Sequence, residues 1–226
     1  MLIGIALFFL IGLLALGIYA SVSIQACIYI KAFCKGCNSK KEVALTFDDG
    51  PDPTQTPKVL EVLRRYNVKA AFFCVGDKAK EYPDLVRRIV DEGHIVGNHT
   101  YEHNPIFPLF CKVEMEHDLR KTDDILNQIT GKKISFFRPP FGVTNPTVAA
   151  VVRKLGYKTI GWSIRSLDTV RKFSREQVVK RIESKLHNGG IILLHDNRKN
   201  SESLAEAVIE KIISNGYAIK RVDELL

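Results

Sequence analysis

The stretch TFDDGPD, Thr46 to Asp52, directly follows the apolar residues Val43, Ala44 and Leu45. Together they read as a buried strand that Gly50 and Pro51 bring to an end, because glycine and proline punctuate regular structure for backbone reasons. Two adjacent carboxylates at a strand end admit two readings. One is an ordinary turn built from turn-forming residues. The other is a division of labour: neighbouring strand residues point in different directions, so Asp49 can ligate a metal while Asp48 acts as a base. The rest of the chain decides between them.

Short apolar runs recur downstream: VALTF, AAFFCV, HIVG, ISFF, TIGWSI, IILLH and YAIKRV. Each except the last is followed by an amphipathic helical pattern. Thr56 can cap the first of these helices with Pro57 at its first position, and glycines close several others. Such alternation predicts an α/β fold with a parallel sheet covered by helices. Seven strands without a glycine-rich phosphate loop fit an irregular (β/α)7-type barrel better than an open dinucleotide-binding sheet. In such barrels the chemistry gathers where strands end and βα loops begin. The unusual polar residues keep that register: Asp48 and Asp49 follow VALTF, NHTYEH follows HIVG, RPPFG follows ISFF, Asp168 follows TIGWSI, and His195 and Asp196 end IILLH.

With 226 residues the chain can bury a core without disulfides or structural metals. The formal charge of +8 suits anionic surroundings. Basic residues alternate with acidic ones along helical faces, without an arginine-rich tract or an aromatic RNA-binding signature, which argues against nucleic acid as a partner. Residues 1–30 carry no Asp, Glu, Lys, Arg or His and read as an N-terminal transmembrane helix. A cleaved signal peptide would carry a basic first region and a shorter apolar core. Residues 31–41 then read as a lysine-containing linker and 42–226 as one catalytic domain. Five cysteines include a lone C-x-x-C at Cys34 and Cys37. A zinc ribbon would need a second such pair, so a local disulfide or two spare thiols is the expectation. Cys74 reads as a small buried residue.

His99 and His103 stand four apart, so on one helical turn their imidazoles share a face. A carboxylate from another βα loop, Asp49, would complete a three-ligand site with an open position, the arrangement of a catalytic zinc. Asp48 is then the base for a water molecule, and Arg138 can pair with it and fix its direction. His195 can supply a proton to a leaving group near neutral pH, with Asp168 as the carboxylate that holds it protonated.

From about Glu42 to Leu226 the chain resembles the NodB-homology domain of metal-dependent polysaccharide deacetylases (carbohydrate esterase family 4), on five ordered motifs: TFDDGP, HTYEH, RPPFG, WSIRSLDT and LLH. The resemblance implies hydrolysis of N-acetyl groups on N-acetylglucosamine-containing glycans, peptidoglycan or a chitin-like polymer, with one divalent ion, zinc or another such as cobalt. It implies Asp48 as base, Asp49, His99 and His103 as metal ligands, and His195 as acid. Phe141 would give a backbone N–H to the oxyanion, Leu193 would line the acetyl-methyl pocket, and Trp162 would contact substrate. The fourth motif departs from the family's D-x-x-D-W, since Arg165 replaces its first Asp and Thr169 its Trp, which bears on substrate identity. Rival readings are a non-catalytic glycan-binding member, or a deacetylase of esters or small N-acetyl substrates. A cell-wall substrate would place the anchored domain outside the cytoplasm, whereas Lys31, Lys35, Lys40 and Lys41 after the apolar segment favour a cytoplasmic flank.

Overall fold

The structure, a computed structural model, describes residues 2–37 and 39–226, with side chains described from Leu7 onward. Among the described residues nine strands form one sheet in which every strand pairing is parallel. They are β1 (Ala32–Phe33), β2 (Glu42–Asp48), β3 (Ala71–Cys74), β4 (Ile95–Asn98), β5 (Phe136–Phe137), β6 (Lys158–Ile160), β7 (Ile164–Arg165), β8 (Gly190–His195) and β9 (Ala218–Ile219). The order is β1-β6-β5-β4-β3-β2-β8-β7, with β9 on β2. The main helices are α1 (Leu2–Val22), α2 (Thr56–Arg65), α3 (Gly76–Glu81), α4 (Pro83–Asp91), α5 (Lys112–Thr130), α6 (Pro146–Leu155), α7 (Arg175–Glu183), α8 (Ser201–Ser214) and α9 (Val222–Leu225).

The expected parallel α/β architecture holds, but the seven-stranded barrel is corrected in count and closure. The run TIGWSI breaks at Gly161–Ser163 into β6 and β7, and the segment read as a linker contributes β1. Among the described residues the sheet curls without closing, since β1 and β7 stand at the two ends of its path. An isolated bridge from Lys35 to Gly190 ties the chain after β1 back to β8.

Period-2 alternation sorts the strand side chains. Val43, Leu45 and Phe47 of β2, Phe72 and Cys74 of β3, and Ile192 and Leu194 of β8 join the large core under the helices, with Leu60, Ile89 and Ile209. Their neighbours Ala44, Ala71, Phe73 and Ile191 form a smaller core on the concave side. Thr46, Asp48, Leu193 and His195 share this inward face, so the strand register that buries the core also aims the polar residues at one end of the sheet.

The anchor expectation for residues 1–30 is corrected: among the described residues no helix is long and apolar enough to cross a membrane. The end of α1 belongs to the folded body instead. Ala20 and Ile24 are each 2% exposed. The Ser21 carbonyl accepts from Thr144 N at 2.9 Å. A single-pass placement of the domain on either side of a membrane goes with it. The C-x-x-C cysteines are held as thiols: Cys34 Sγ donates to Ile24 O, and Cys37 Sγ lies 3.3 Å from Ser39 Oγ. Burial, together with the nearby Cys27, pushes the Cys34 thiol up to about 12.

Candidate active site

Asp48 is the last residue of β2, paired in register with His195, the last residue of β8. Simple alternation would turn Asp49 away from the concave side. Its backbone takes the left-handed conformation instead, φ 71°, which brings the carboxylate back to the sheet mouth. Gly50 follows because the Asp196 carboxylate occupies the place a Cβ would take. Asp196 is 1% exposed and accepts from Thr56 Oγ1 at 2.5 Å. Thr56 is therefore spent on Asp196 and on Asp52 N rather than on capping α2, whose cap is Gln55. Burial pushes Asp196 up to about 7.

The histidines converge, though not on a helix. His99 to His103 form an irregular turn after β4, with Thr100 at φ 67° and His103 at φ 51°. Left-handed backbone at non-glycine residues costs energy and persists where the surroundings over-determine it. Here Asn98 is fully buried, receives Thr100 N on its Oδ1 and donates from Nδ2 to Leu119 O and Asp123. Asp118 accepts Tyr101 N, and Thr100 Oγ1 accepts His103 N.

The outcome is a cluster of donors. Asp49 Oδ1 lies 3.5 Å from His99 Nε2 and 3.4 Å from His103 Nε2, and one ligand atom from each of the three falls within 4.8 Å of the others. His99 Nδ1 donates to the Arg138 carbonyl at 2.7 Å, which fixes the ring with Nε2 turned toward the cluster. Burial opposes the Asp49 charge, but hydrogen bonding to His99 and the nearby imidazoles outweigh it and hold Asp49 well below the usual carboxylate range. Two imidazoles and a carboxylate are a donor set that borderline divalent ions accept.

Arg138 fills the concave interior at 0% exposure. Its Nη1 donates to Asp48 Oδ1 at 2.7 Å and Thr46 Oγ1 at 2.8 Å, Nε to Ile160 O, and Nη2 to Gly161 O. Those two carbonyls are available because β6 ends there. The guanidinium also stacks 4.2 Å from the Phe73 ring centroid. With Oδ1 of Asp48 held, Oδ2 faces the cluster, 3.7 Å from His99 Nε2.

On the opposite wall His195 Nδ1 lies 2.8 Å from Asp168 Oδ1, while Asp168 Oδ2 accepts the backbone N–H of His195 and Ser166 Oγ donates to Oδ1. Burial disfavours the imidazolium, but the Asp168 hydrogen bond and charge prevail, and His195 is raised to about 9. A cavity of about 160 Å³ joins these walls, with Trp162, Leu193 and Phe141 among its lining. Phe141 sits at φ 58° with its ring against His103, and the Trp162 indole packs on Gly142.

All ten residues read from the sequence thus meet at one place. Asn98, Thr46, Ser166 and Asp196 were not assigned roles there. Thr46 carried a signal, being two residues before Asp48 on the inward face; Asn98 carried none.

The family model for polysaccharide deacetylase matches residues 35–160. The chain is 34% identical over 203 residues to the peptidoglycan-N-acetylmuramic acid deacetylase PdaA of Bacillus subtilis, covering 86% of this chain and 75% of that protein. The solved Bc1960 peptidoglycan N-acetylglucosamine deacetylase superposes with a TM-score of 0.80 at 31% identity, covering 85% of this chain and 91% of the other. A CE4 family pseudoenzyme from Bacillus anthracis superposes at 0.78 with 29% identity, covering 85% and 67%. The chain belongs to the polysaccharide deacetylase family.

Proposed function

We propose that the protein hydrolyses N-acetyl groups on amino sugars of peptidoglycan, with a divalent ion, zinc first among them, held by Asp49, His99 and His103. The observation that carries this reading is the meeting of that donor cluster with two separately oriented acid–base groups, Asp48 on Arg138 and His195 on Asp168. A bound ion would polarise the acetyl carbonyl and lower the pKa of water from about 15.7 to about 7.

The chain's own groups do the rest. Asp48, through Oδ2, takes the proton of the attacking water as the new C–O bond forms. Phe141 N–H donates to the carbonyl oxygen as it gains charge, and Leu193 packs on the acetyl methyl. His195, with Nδ1 engaged by Asp168, presents Nε2–H to the amide nitrogen. The C–N bond breaks as that proton transfers, leaving a free amine on the sugar and acetate. A non-catalytic role would leave the two oriented pairs without work.

The test is acetate release by the purified full chain, stripped of metal and then given zinc or cobalt, from peptidoglycan glycan strands, N-acetylglucosamine oligomers and acetylated xylan. Metal-dependent release from the N-acetylated glycans is expected. Release from xylan alone, or release indifferent to metal, would overturn the reading.

The His195 pair adds a pH signature. The acid works only while protonated, so kcat/KM falls as pH rises through about 9. In Asp168→Asn the imidazole loses its countercharge while its burial remains, and the alkaline limb should move acidward by about two pH units. A limb that stays in place would assign it to another group.

A further inference from the structure

The acidic residues that line the cavity are each matched. Asp48 is paired with Arg138, Asp49 with two imidazoles, and Asp168 with His195. Arg165 lines the same cavity and is exposed, and among the described residues its guanidinium has no carboxylate partner. Its position is set by the sheet: Arg165 pairs in register with Leu193, whose side chain forms the cavity wall, so both lie on the same face. Arg198 adds a second cation on the same rim, its Nη2 3.4 Å from the carbonyl of Thr169, another cavity residue. The groove that continues from Asp168, about 330 Å³, brings Lys199 alongside Arg198; its other basic residue, Arg175, is 3.3 Å from Glu176. Among the described residues Arg165, Arg198 and Lys199 thus give this side of the mouth cations without a paired carboxylate.

Resting on the deacetylase reading, we propose that Arg165, with Arg198 adding positive charge next to Thr169, selects an N-acetylated sugar that carries a carboxylate next to its acetamido group. In a pyranose the C3 substituent is vicinal to the C2 acetamido group, so with the acetyl at Asp49 and Leu193 a C3 substituent stays within the same cavity, whose lining includes Arg165. The lactyl ether of a muramic acid residue places a carboxylate there, and a guanidinium binds a carboxylate through two parallel hydrogen bonds. A neutral C3 hydroxyl offers no such partner, so specificity arises from one charge-assisted contact rather than from pocket volume.

The experiment compares three peptide-free oligomers: alternating N-acetylglucosamine and N-acetylmuramic acid, the same oligomer with each lactyl carboxylate converted to its methylamide, and N-acetylglucosamine alone. A fourth, bearing stem peptides, separates peptide carboxylates from the lactyl group. Wild-type kcat/KM should favour the lactyl carboxylate over its methylamide by about tenfold. Arg165→Gln should bring that ratio close to one, Arg165→Lys should restore part of it, and Arg165→Glu should invert it. A wild-type ratio near one, an unchanged ratio in Arg165→Gln, or a preference present only with stem peptides would overturn the proposal. Calorimetric binding of the carboxylate and methylamide oligomers to wild type and Arg165→Gln decides the same question without turnover. Absence of acetate from every oligomer would sink the deacetylase reading, whereas equal binding of the two oligomers would sink this one.

Discussion

Replacing Asp48 by Asn is expected to leave metal bound and to lower turnover by about a thousandfold, within the range that one positioned general base contributes. Replacing its neighbour Asp49 by Asn should instead lower metal affinity by at least about a hundredfold, since even outer residues of a metal site are worth tenfold to a hundredfold. Asparagine suits both positions. At 48 an amide oxygen can still accept from Arg138, and at 49 Asn tolerates the left-handed φ of 71° that Ala would resist. Metal content after dialysis and single-turnover acetate release read the two effects separately. The contrast tests the geometry directly, because Asp48 Oδ1 is held by Arg138 while Asp49 Oδ1 lies between the imidazoles of His99 and His103. Equal loss of metal in both variants would mean that Asp48 is a ligand rather than a base.

That contrast also marks how far the sequence could be read. The ends of the runs VALTF and IILLH marked Asp48 and His195 as residues of the sheet mouth, and the register that pairs them on one face follows from burying Val43, Leu45 and Phe47. The placement of Asp49, His103 and Phe141 rests on positive φ at each, and at Thr100 and Leu167 nearby. None of these is glycine, the residue whose presence announces such backbone, so a helical turn was the natural reading of HTYEH. The apolar first segment misled for a different reason: uncharged composition suits a membrane span, but it also suits a helix end that packs, as Ala20 does, followed by a buried Ile24 in the turn after the helix. Likewise a lysine-bearing stretch looks like a linker until Ala32 and Phe33 pair with Thr159 and Ile160, which depends on distant partners.

Replacing Arg138 by Met should have the largest effect on stability of any substitution in the site. Exposed pairs such as Arg87 with Asp84, whose side chains are 54% and 91% exposed, are worth about 0–1 kcal/mol. Arg138 is different, because its removal strips the donor from Asp48, which is 3% exposed, and from Thr46 Oγ1 and two carbonyls in the same dry interior. Breaking a buried pair from one side costs about 3–5 kcal/mol. For a domain of this size that corresponds to a fall in melting temperature of about 10 °C, at about 2–4 °C per kcal/mol. The cause is testable by coupling. If the uncompensated Asp48 charge dominates, Asp48→Asn in the Arg138→Met background should recover about 1–3 kcal/mol relative to the sum of the single variants. Urea unfolding of the wild type, both single variants and the double variant gives the cycle. Strict additivity would show that Arg138 stabilises the fold by filling space between Phe73 and Trp162 and by satisfying Ile160 and Gly161, with the carboxylate incidental to stability.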